Sequence, residues 1–219
     1  MQATAKESLK TTKYVAKKPV YDFVKRVIDL FCSFVAFVLL SPFFIIISIA
    51  IKATSKGPVF FVHRRVGKNG KPIGVYKFRS MVHNAEELMV NFTAEQKAEF
   101  QKNFKLQNDP RITKVGGFLR RTSLDELPQI INILKGDLSL VGPRPIVEKE
   151  TEFYGNYRDM LLSVKPGLTG FWAANGRSET TYTRRRAMEI YYVKNRSLCL
   201  DTKILFTTII SVFKGRGAK

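Results

Sequence analysis

The densest run of residues able to do chemistry lies between Gly117 and Pro145, GFLRRTSLDELPQIINILKGDLSLVGPRP. Two adjacent carboxylates, Asp125 and Glu126, follow a pair of arginines, Arg120 and Arg121. Downstream, Arg144 is framed by Pro143 and Pro145. Proline restricts the backbone, so the frame holds a guanidinium in one place, and arginine's planar fork suits bidentate contact with phosphate. Pro128 is best tolerated in the first turn of a helix. A helix from there to about Leu134 puts both acids at or just before its positive end, which favours their ionised forms. Ser123 with Glu126 also fits a capping box, a purely structural use of the acid. A cap or a solvated charge run does not predict the framed arginine.

The elements that must position these groups are legible upstream. PVFFVHRRVG and KPIGVYKFRSM are short, rich in β-branched and aromatic residues, and separated by Lys68-Asn69-Gly70-Lys71. Asn-Gly between such runs predicts a β-hairpin, and Arg64, Arg65, Lys77 and Arg79 cluster on it. Residues 83–107 read as polar helix, with Thr93 and Gln96 as a capping box and Phe92, Phe100 and Phe104 facing a core. Asn108-Asp109-Pro110 ends that stretch.

Leu30 to Ile51, LFCSFVAFVLLSPFFIIISIAI, holds 22 residues without a charge. A straight helix of that length is about 33 Å long, enough for a hydrocarbon core of about 30 Å. A cleaved signal peptide fits poorly: the run starts too late and lacks a small-residue cleavage site. Ser41-Pro42 sits at the middle, where proline removes a donor and crowds the carbonyl of Val38. Residues 1–29 carry seven Lys and Arg, and residues 52–79 carry eight with no acid. Basic flanks stay in the cytoplasm, and both flanks qualify. A re-entrant hairpin turning at Ser41-Pro42 satisfies both, where a single span satisfies one. Near the C-terminus, ILFTTIISVF (204–213) is too short to span and is either a core helix or an interfacial one.

The whole chain has 219 residues, 45% of them hydrophobic, and a net charge of +19. That excludes wholesale disorder and predicts an anionic partner: nucleic acid, an anionic membrane or a phosphorylated substrate. The two cysteines, Cys32 and Cys199, suggest no disulfide framework, and His63 and His83 are too isolated for a zinc site. These features predict a basic tail over 1–20, a membrane helix over 21–52 and a cytoplasmic domain over 53–219. The fold class is α/β, mostly helical with a small β-hairpin or sheet.

Several stretches together resemble the bacterial sugar transferases, the monotopic phosphoglycosyl transferases that start glycan assembly on undecaprenyl phosphate. They are Lys25-Arg26 with Asp29, Ser41-Pro42, GPVFFVHRRVG, YKFRSM, DPRITKVGGFLRRTSLDELPQIINILKGDLSLVGPRP, KPGLTGFWAANGR and YYVKNRSLCLDTKIL, in family order from about residue 20 to 205. The resemblance implies that Asp125 and Glu126 are a catalytic dyad, with Asp125 the nucleophile on a UDP-sugar, and that UMP leaves. A phosphosugar intermediate would then pass to undecaprenyl phosphate. It implies magnesium close to Asp125 and Glu126, phosphate contacts from Lys77, Arg79, Arg120 and Arg144, and a re-entrant break at Ser41 and Pro42. Asn175 and Arg177 would line a nucleotide or sugar pocket. Ala173-Ala174 departs from the bulkier pair expected there, which leaves the sugar open.

The resemblance further implies a bacterial cytoplasmic membrane, a domain facing the cytoplasm, anionic lipids as partners and a minimal form without extra membrane helices. A homo-oligomer stays open. The chemistry agrees with the residues: phosphoryl transfer rests on positioning and charge neutralisation, and a carboxylate nucleophile splits it into two steps. Two other readings compete with this one. A nucleic-acid-binding protein lacks any recognisable motif, so no nucleic acid is expected. A single-span scaffold would tolerate Asp125→Asn.

Overall fold

A computed structural model describes residues 17–103, 106, 108–176 and 180–213. Phe104 and Arg177 lie outside the described residues, as does most of the basic tail. The described chain is mostly helical with two small sheets.

Helix α1 runs from Pro19 to Thr54 without interruption, two residues longer at each end than the 21–52 segment read from the sequence. The two arms expected on either side of Ser41-Pro42 belong to this one helix. Pro42 cannot donate to the carbonyl of Val38, and the Ser41 hydroxyl does so instead at 2.8 Å. A side-chain donor one residue before the proline thus repairs the missing backbone bond.

The predicted hairpin forms as β1 (Phe60–Val66) and β2 (Pro72–Phe78), paired antiparallel with Val66 opposite Pro72. Asn69, at φ 58°, and Gly70, at φ 77°, supply the left-handed backbone at its tip. Cross-strand partners share a face, so His63, Arg65, Val75 and Lys77 project together. Helix α2 (Ala94–Asn103) opens on the expected box, with Gln96 N donating to Thr93 Oγ1 at 3.2 Å and Thr93 N donating to Gln96 Oε1 at 3.0 Å. Phe92 is buried and stacks edge-on with Phe100.

Helix α3 (Lys114–Thr122) and helix α4 (Gln129–Lys135) flank a 3-10 turn at Leu124–Glu126. Short strands β3 (Ser139–Val141) and β4 (Gly167–Thr169) pair in parallel. Helices α5 (Arg158–Leu162) and α6 (Phe171–Asn175) surround β4, and α7 (Tyr182–Asn195) and α8 (Leu198–Phe213) complete the chain. Gly142 and Gly167 meet main chain to main chain, leaving no room for a Cβ on either. That close approach seats the Pro-Arg-Pro loop directly on the parallel pair.

The largest core gathers Val141, Met160, Leu161, Tyr192, Val193 and Ile204. Smaller clusters join Ile47 and Ile51 to Phe78 and Leu119, and Val75 to Ile133 and Leu138. Helix α8 buries Ile204 in the largest core, while Phe206, Ile209 and Ile210 are exposed.

Candidate active site

The acids take their place from the turn between α3 and α4. Ser123 adopts the left-handed conformation, φ 58°, and ends α3. Its side chain caps nothing, so the Ser123–Glu126 capping box does not form. With the turn wound as 3-10 rather than α, the Ser123 hydroxyl is not presented to the amide of Glu126. Pro128 stands immediately before α4, as its ring geometry favours. The carboxylates therefore sit just ahead of the helix, the first of the two arrangements read from the sequence.

Asn132 ties this helix to the hairpin. It is fully buried; its carboxamide accepts from Tyr76 N at 2.9 Å and donates to Gly74 O at 2.7 Å. It occupies the place of a neighbouring strand beside β2 and fixes α4 one residue from Lys77. Gly136, at φ 93°, closes α4, its N–H donating to Asn132 O and Ile133 O. The Arg26 guanidinium of α1 donates to Ile133 O at 2.6 Å and Leu134 O at 3.0 Å.

Lys77 reaches the dyad. Its ammonium lies 2.6 Å from Glu126 Oε1 and 4.0 Å from Asp125 Oδ2. Burial pushes the Asp125 carboxyl up; Lys77 draws it back and the neighbouring Glu126 adds to the rise. Burial also pushes Glu126 up, but Lys77, then Arg144 and Arg65, outweigh it and hold that carboxyl below its usual range. Two adjacent acids thus shift in opposite directions.

Glu126 and Lys77 open into a shallow cleft whose lining includes Arg65, Gln129, Arg144, Trp172 and Glu189. The Arg144 guanidinium is exposed and lies 5.6 Å from the Trp172 ring centroid. Its backbone N–H donates to Glu189 Oε1 at 3.2 Å. Arg185, buried, lies 4.8 Å from the same ring and 3.2 Å from Glu150, which also meets Arg65 at 3.4 Å. Burial lowers the His63 imidazole to about 4, with Arg65, Lys77 and Arg144 adding to the shift, so His63 is neutral beside Arg65.

The other expected site residues divide. Arg120 is exposed, donates from Nε to Ser80 Oγ at 2.8 Å and acts electrostatically on Asp125. Arg79 is buried and spends its donors on the end of α1: Lys56 O at 2.5 Å, and Ser55 O and Oγ at 2.9 and 2.8 Å. Asn175 is exposed, donates to Phe171 O at 2.8 Å and stands outside the cleft lining. Among the described residues no cluster of three or more His, Cys, Asp or Glu could hold a metal ion by itself. The sequence reading missed Gln129, Trp172 and Glu189 as cleft residues, and Arg185 behind the Trp172 ring. Trp172 and Gln129 stood inside quoted motifs; Arg185 and Glu189, four apart on α7, look like an ordinary helical ion pair.

This geometry can be set beside known proteins. The model of the bacterial sugar transferase family matches residues 20–215. The chain belongs to that family. It is 48% identical over 200 residues to an undecaprenyl-phosphate galactose phosphotransferase of Salmonella typhimurium, covering 90% of this chain and 42% of the relative. It is 42% identical over 206 residues to the exopolysaccharide production protein ExoY of Rhizobium meliloti, covering 93% of this chain and 91% of that one. It is 40% identical over 217 residues to the UDP-glucose:undecaprenyl-phosphate glucose-1-phosphate transferase of Escherichia coli, covering 91% and 44%. The chain therefore spans less than half of two of these relatives and nearly all of the third.

Proposed function

We propose that this chain moves a sugar-1-phosphate from a UDP-sugar to undecaprenyl phosphate, giving undecaprenyl diphosphate sugar and UMP. This would be the first membrane step in building an exopolysaccharide, capsule or other glycan. The observation that carries the reading is the Asp125-Glu126 pair held on Lys77 beside a cleft whose other cations are Arg65 and Arg144.

Asp125 Oδ attacks the phosphorus that bears the sugar. The bond from that phosphorus to the UMP oxygen breaks, and UMP leaves with the electron pair. A phosphate oxygen of the acceptor then attacks the same phosphorus and Asp125 is released. Lys77 and Arg144 neutralise the phosphate oxygens and hold them in line, which is most of what phosphoryl transfer asks of a protein. Glu126, ionised by its ion pair, orients Lys77. Two adjacent carboxylates fit magnesium, which takes one or two carboxylates with substrate phosphates; when bound it supplies charge neutralisation at those oxygens.

A re-entrant, cytoplasm-facing arrangement is part of the proposal. Both ends of α1 rest on the same polar domain. Near the start, Tyr21 and Lys25 bind Asp201 at 2.8 and 2.6 Å, and Asp29 accepts from Leu140 N at 3.0 Å. Near the end, Ile47 and Ile51 pack on Phe78 and Leu119. Between them Phe31, Phe34, Leu39, Ile45 and Ile46 are exposed. A span would draw the domain into hydrocarbon, where its polar groups lose their water. Dipping into one leaflet avoids this, and the exposed Phe206, Ile209 and Ile210 of α8 suit an interfacial position.

The test is UMP release by purified protein in nanodiscs with undecaprenyl phosphate, magnesium and a panel of UDP-sugars, UDP-glucose and UDP-galactose first. Release that needs the acceptor and disappears in Asp125→Asn is expected. Unchanged turnover in that variant would sink the mechanism. Cysteines placed in residues 1–20 should react only from the cytoplasmic side.

A further inference from the structure

Strand β1 opens on Phe60, Phe61 and Val62, which are 42%, 49% and 49% exposed. Side chains alternate between the faces of a strand, so three in a row leave both faces of this end apolar. Exposed apolar clusters of this kind mark contact with a ligand, a partner or a membrane. Phe60 already has a use: its ring stacks on Phe78 at 5.4 Å, and the Phe78 ring lies 5.3 Å from Phe44 of α1. Phe61 belongs to the other face. There it stands directly opposite Lys77 and meets the His63 ring edge-on at 5.8 Å. The same face carries Lys77, Val75 and Arg65 into the cleft. Phe78, next to Lys77, packs on Ile47 and Ile51 of α1. Phe61 therefore stands just outside the cleft, at the end of its β-sheet wall nearest α1.

We propose that Phe61 holds the first isoprene units of the acceptor lipid beside the lysine that takes its phosphate, an inference that rests on the undecaprenyl phosphate reading above. The acceptor joins an anionic phosphate directly to an apolar chain. Its site needs a cation and an apolar surface side by side. Directly opposed residues of an antiparallel pair have Cβ atoms about 5 Å apart, and Lys77 with Phe61 is such a pair. The donor is polar along its whole length and gains nothing from an exposed phenylalanine. Bulk bilayer hydrocarbon fits Phe61 less well than the acceptor does. Covering Phe61 with it would strip water from the neighbouring ammonium of Lys77, at a cost. A lipid that carries its own phosphate to that ammonium avoids the cost. The position also suits the route: the chain runs from Lys77 past Phe61 toward α1, while the donor enters between Arg65 and Arg144.

The experiment compares wild type, Phe61→Ala and Phe61→Leu in nanodiscs. UMP release is measured against the mole fraction of undecaprenyl phosphate, and separately against the UDP-sugar. Phe61→Ala should raise KM for undecaprenyl phosphate about tenfold, the scale of losing one apolar side-chain contact. KM for the UDP-sugar and turnover at saturating acceptor should stay at the wild-type level. Phe61→Leu, which keeps apolar surface, should recover most of the loss. Lower turnover that added acceptor does not restore, with its KM unchanged, would make Phe61 a bilayer contact and overturn the proposal. A loss shared equally by both substrates would mean that the change disturbs Lys77, and would overturn it too. Unchanged kinetics in both variants would do the same. Those outcomes leave the acceptor reading standing. Wild-type turnover that did not depend on undecaprenyl phosphate would remove the acceptor reading and this assignment with it.

Discussion

The wall of the cleft built from β2 and the turn before α4 differs from the wall built from α6 and α7 in how it uses acids. On the first, Asp125 and Glu126 share one lysine, and Glu126 keeps 31% of its side chain exposed. On the second, Arg185 of α7 meets Glu150, from the 3-10 segment Glu148–Tyr157, which also meets Arg65, and Glu189 is 1% exposed with one oxygen on the backbone of Arg144. The first wall leaves Glu126 open to the cleft with Asp125 buried behind it. The second uses its carboxylates to hold arginines in place. Buried ion pairs are weak evidence for stability, because desolvation offsets the attraction. Their value here is geometric: the Glu150 pairs fix where Arg65 stands, and Glu189 fixes the backbone of Arg144. The walls should fail differently, the first in chemistry and the second in geometry.

The largest difference is expected from Asp125→Asn, which keeps shape and removes the nucleophile. Turnover should fall at least about a thousandfold, as for loss of a covalent catalytic group. Lys77→Ala should follow at about a hundredfold, the scale of removing one preorganised charge from a transition state. Single-turnover UMP release measures both. If Lys77→Ala lost more than Asp125→Asn, the roles assigned to the two would have to be exchanged.

The second wall gives a smaller effect with a different signature. Glu189→Ala removes the acceptor for Arg144 N and should cost about 1–3 kcal/mol of stability, the scale of leaving a buried donor unpaired. Glu189→Gln keeps the acceptor. Burial raises the Glu189 carboxyl to about 7 against an ordinary 4.5, with Arg144 and Arg185 drawing it down only in part. The folded state therefore holds the proton more tightly than the unfolded chain. This group's contribution is fully present below about 4.5 and is lost as pH rises to about 7. Thermal melts should show Glu189→Gln gaining on wild type between pH 5 and pH 8, within the window set by those values. A constant offset across that range would mean that Glu189 is not titrating there.

Much of this was legible in the sequence where local chemistry dictates local structure. Asn69-Gly70 marked the hairpin tip because few residues accept a positive φ, and Thr93 with Gln96 marked a helix start. The position of Asp125 and Glu126 ahead of a helix followed from Pro128. What could not be read is what depends on partners distant in the chain. Arg79 looked like its neighbour Lys77, two residues away and on the same face of the strand by spacing. The strand ends at Phe78, however, and Arg79 turns to cap α1. Asn132 looked like an ordinary polar residue on an apolar helix; only the fold shows that it stands in for a strand. Ser123 could have capped the turn by its spacing, but its left-handed backbone prevents it. The long apolar run predicted one long helix, and α1 is that helix. That both of its ends rest on one domain depends on Lys25 meeting Asp201 and Ile51 meeting Phe78, contacts with no local signature.

The smallest expected effect separates the two acids of the first wall from each other. Asp125 is shifted up, chiefly by burial, so its ionised form costs stability above its ordinary range, and the cost is relieved as pH falls through the raised value. Glu126 is shifted down because Lys77, Arg144 and Arg65 outweigh burial. Its contribution is present above the ordinary glutamate range and is lost as pH falls through the depressed value. Neutralising the two by one isosteric change each should move stability in opposite directions at neutral pH. Asp125→Asn is expected to melt slightly higher than wild type and Glu126→Gln slightly lower, by a few degrees at most. Both variants should converge on wild type in acid, where the carboxyls are protonated anyway. Shifts of the same sign at pH 7.5 would mean that the two acids share one environment, and the division between an attacking Asp125 and an orienting Glu126 would lose its electrostatic basis.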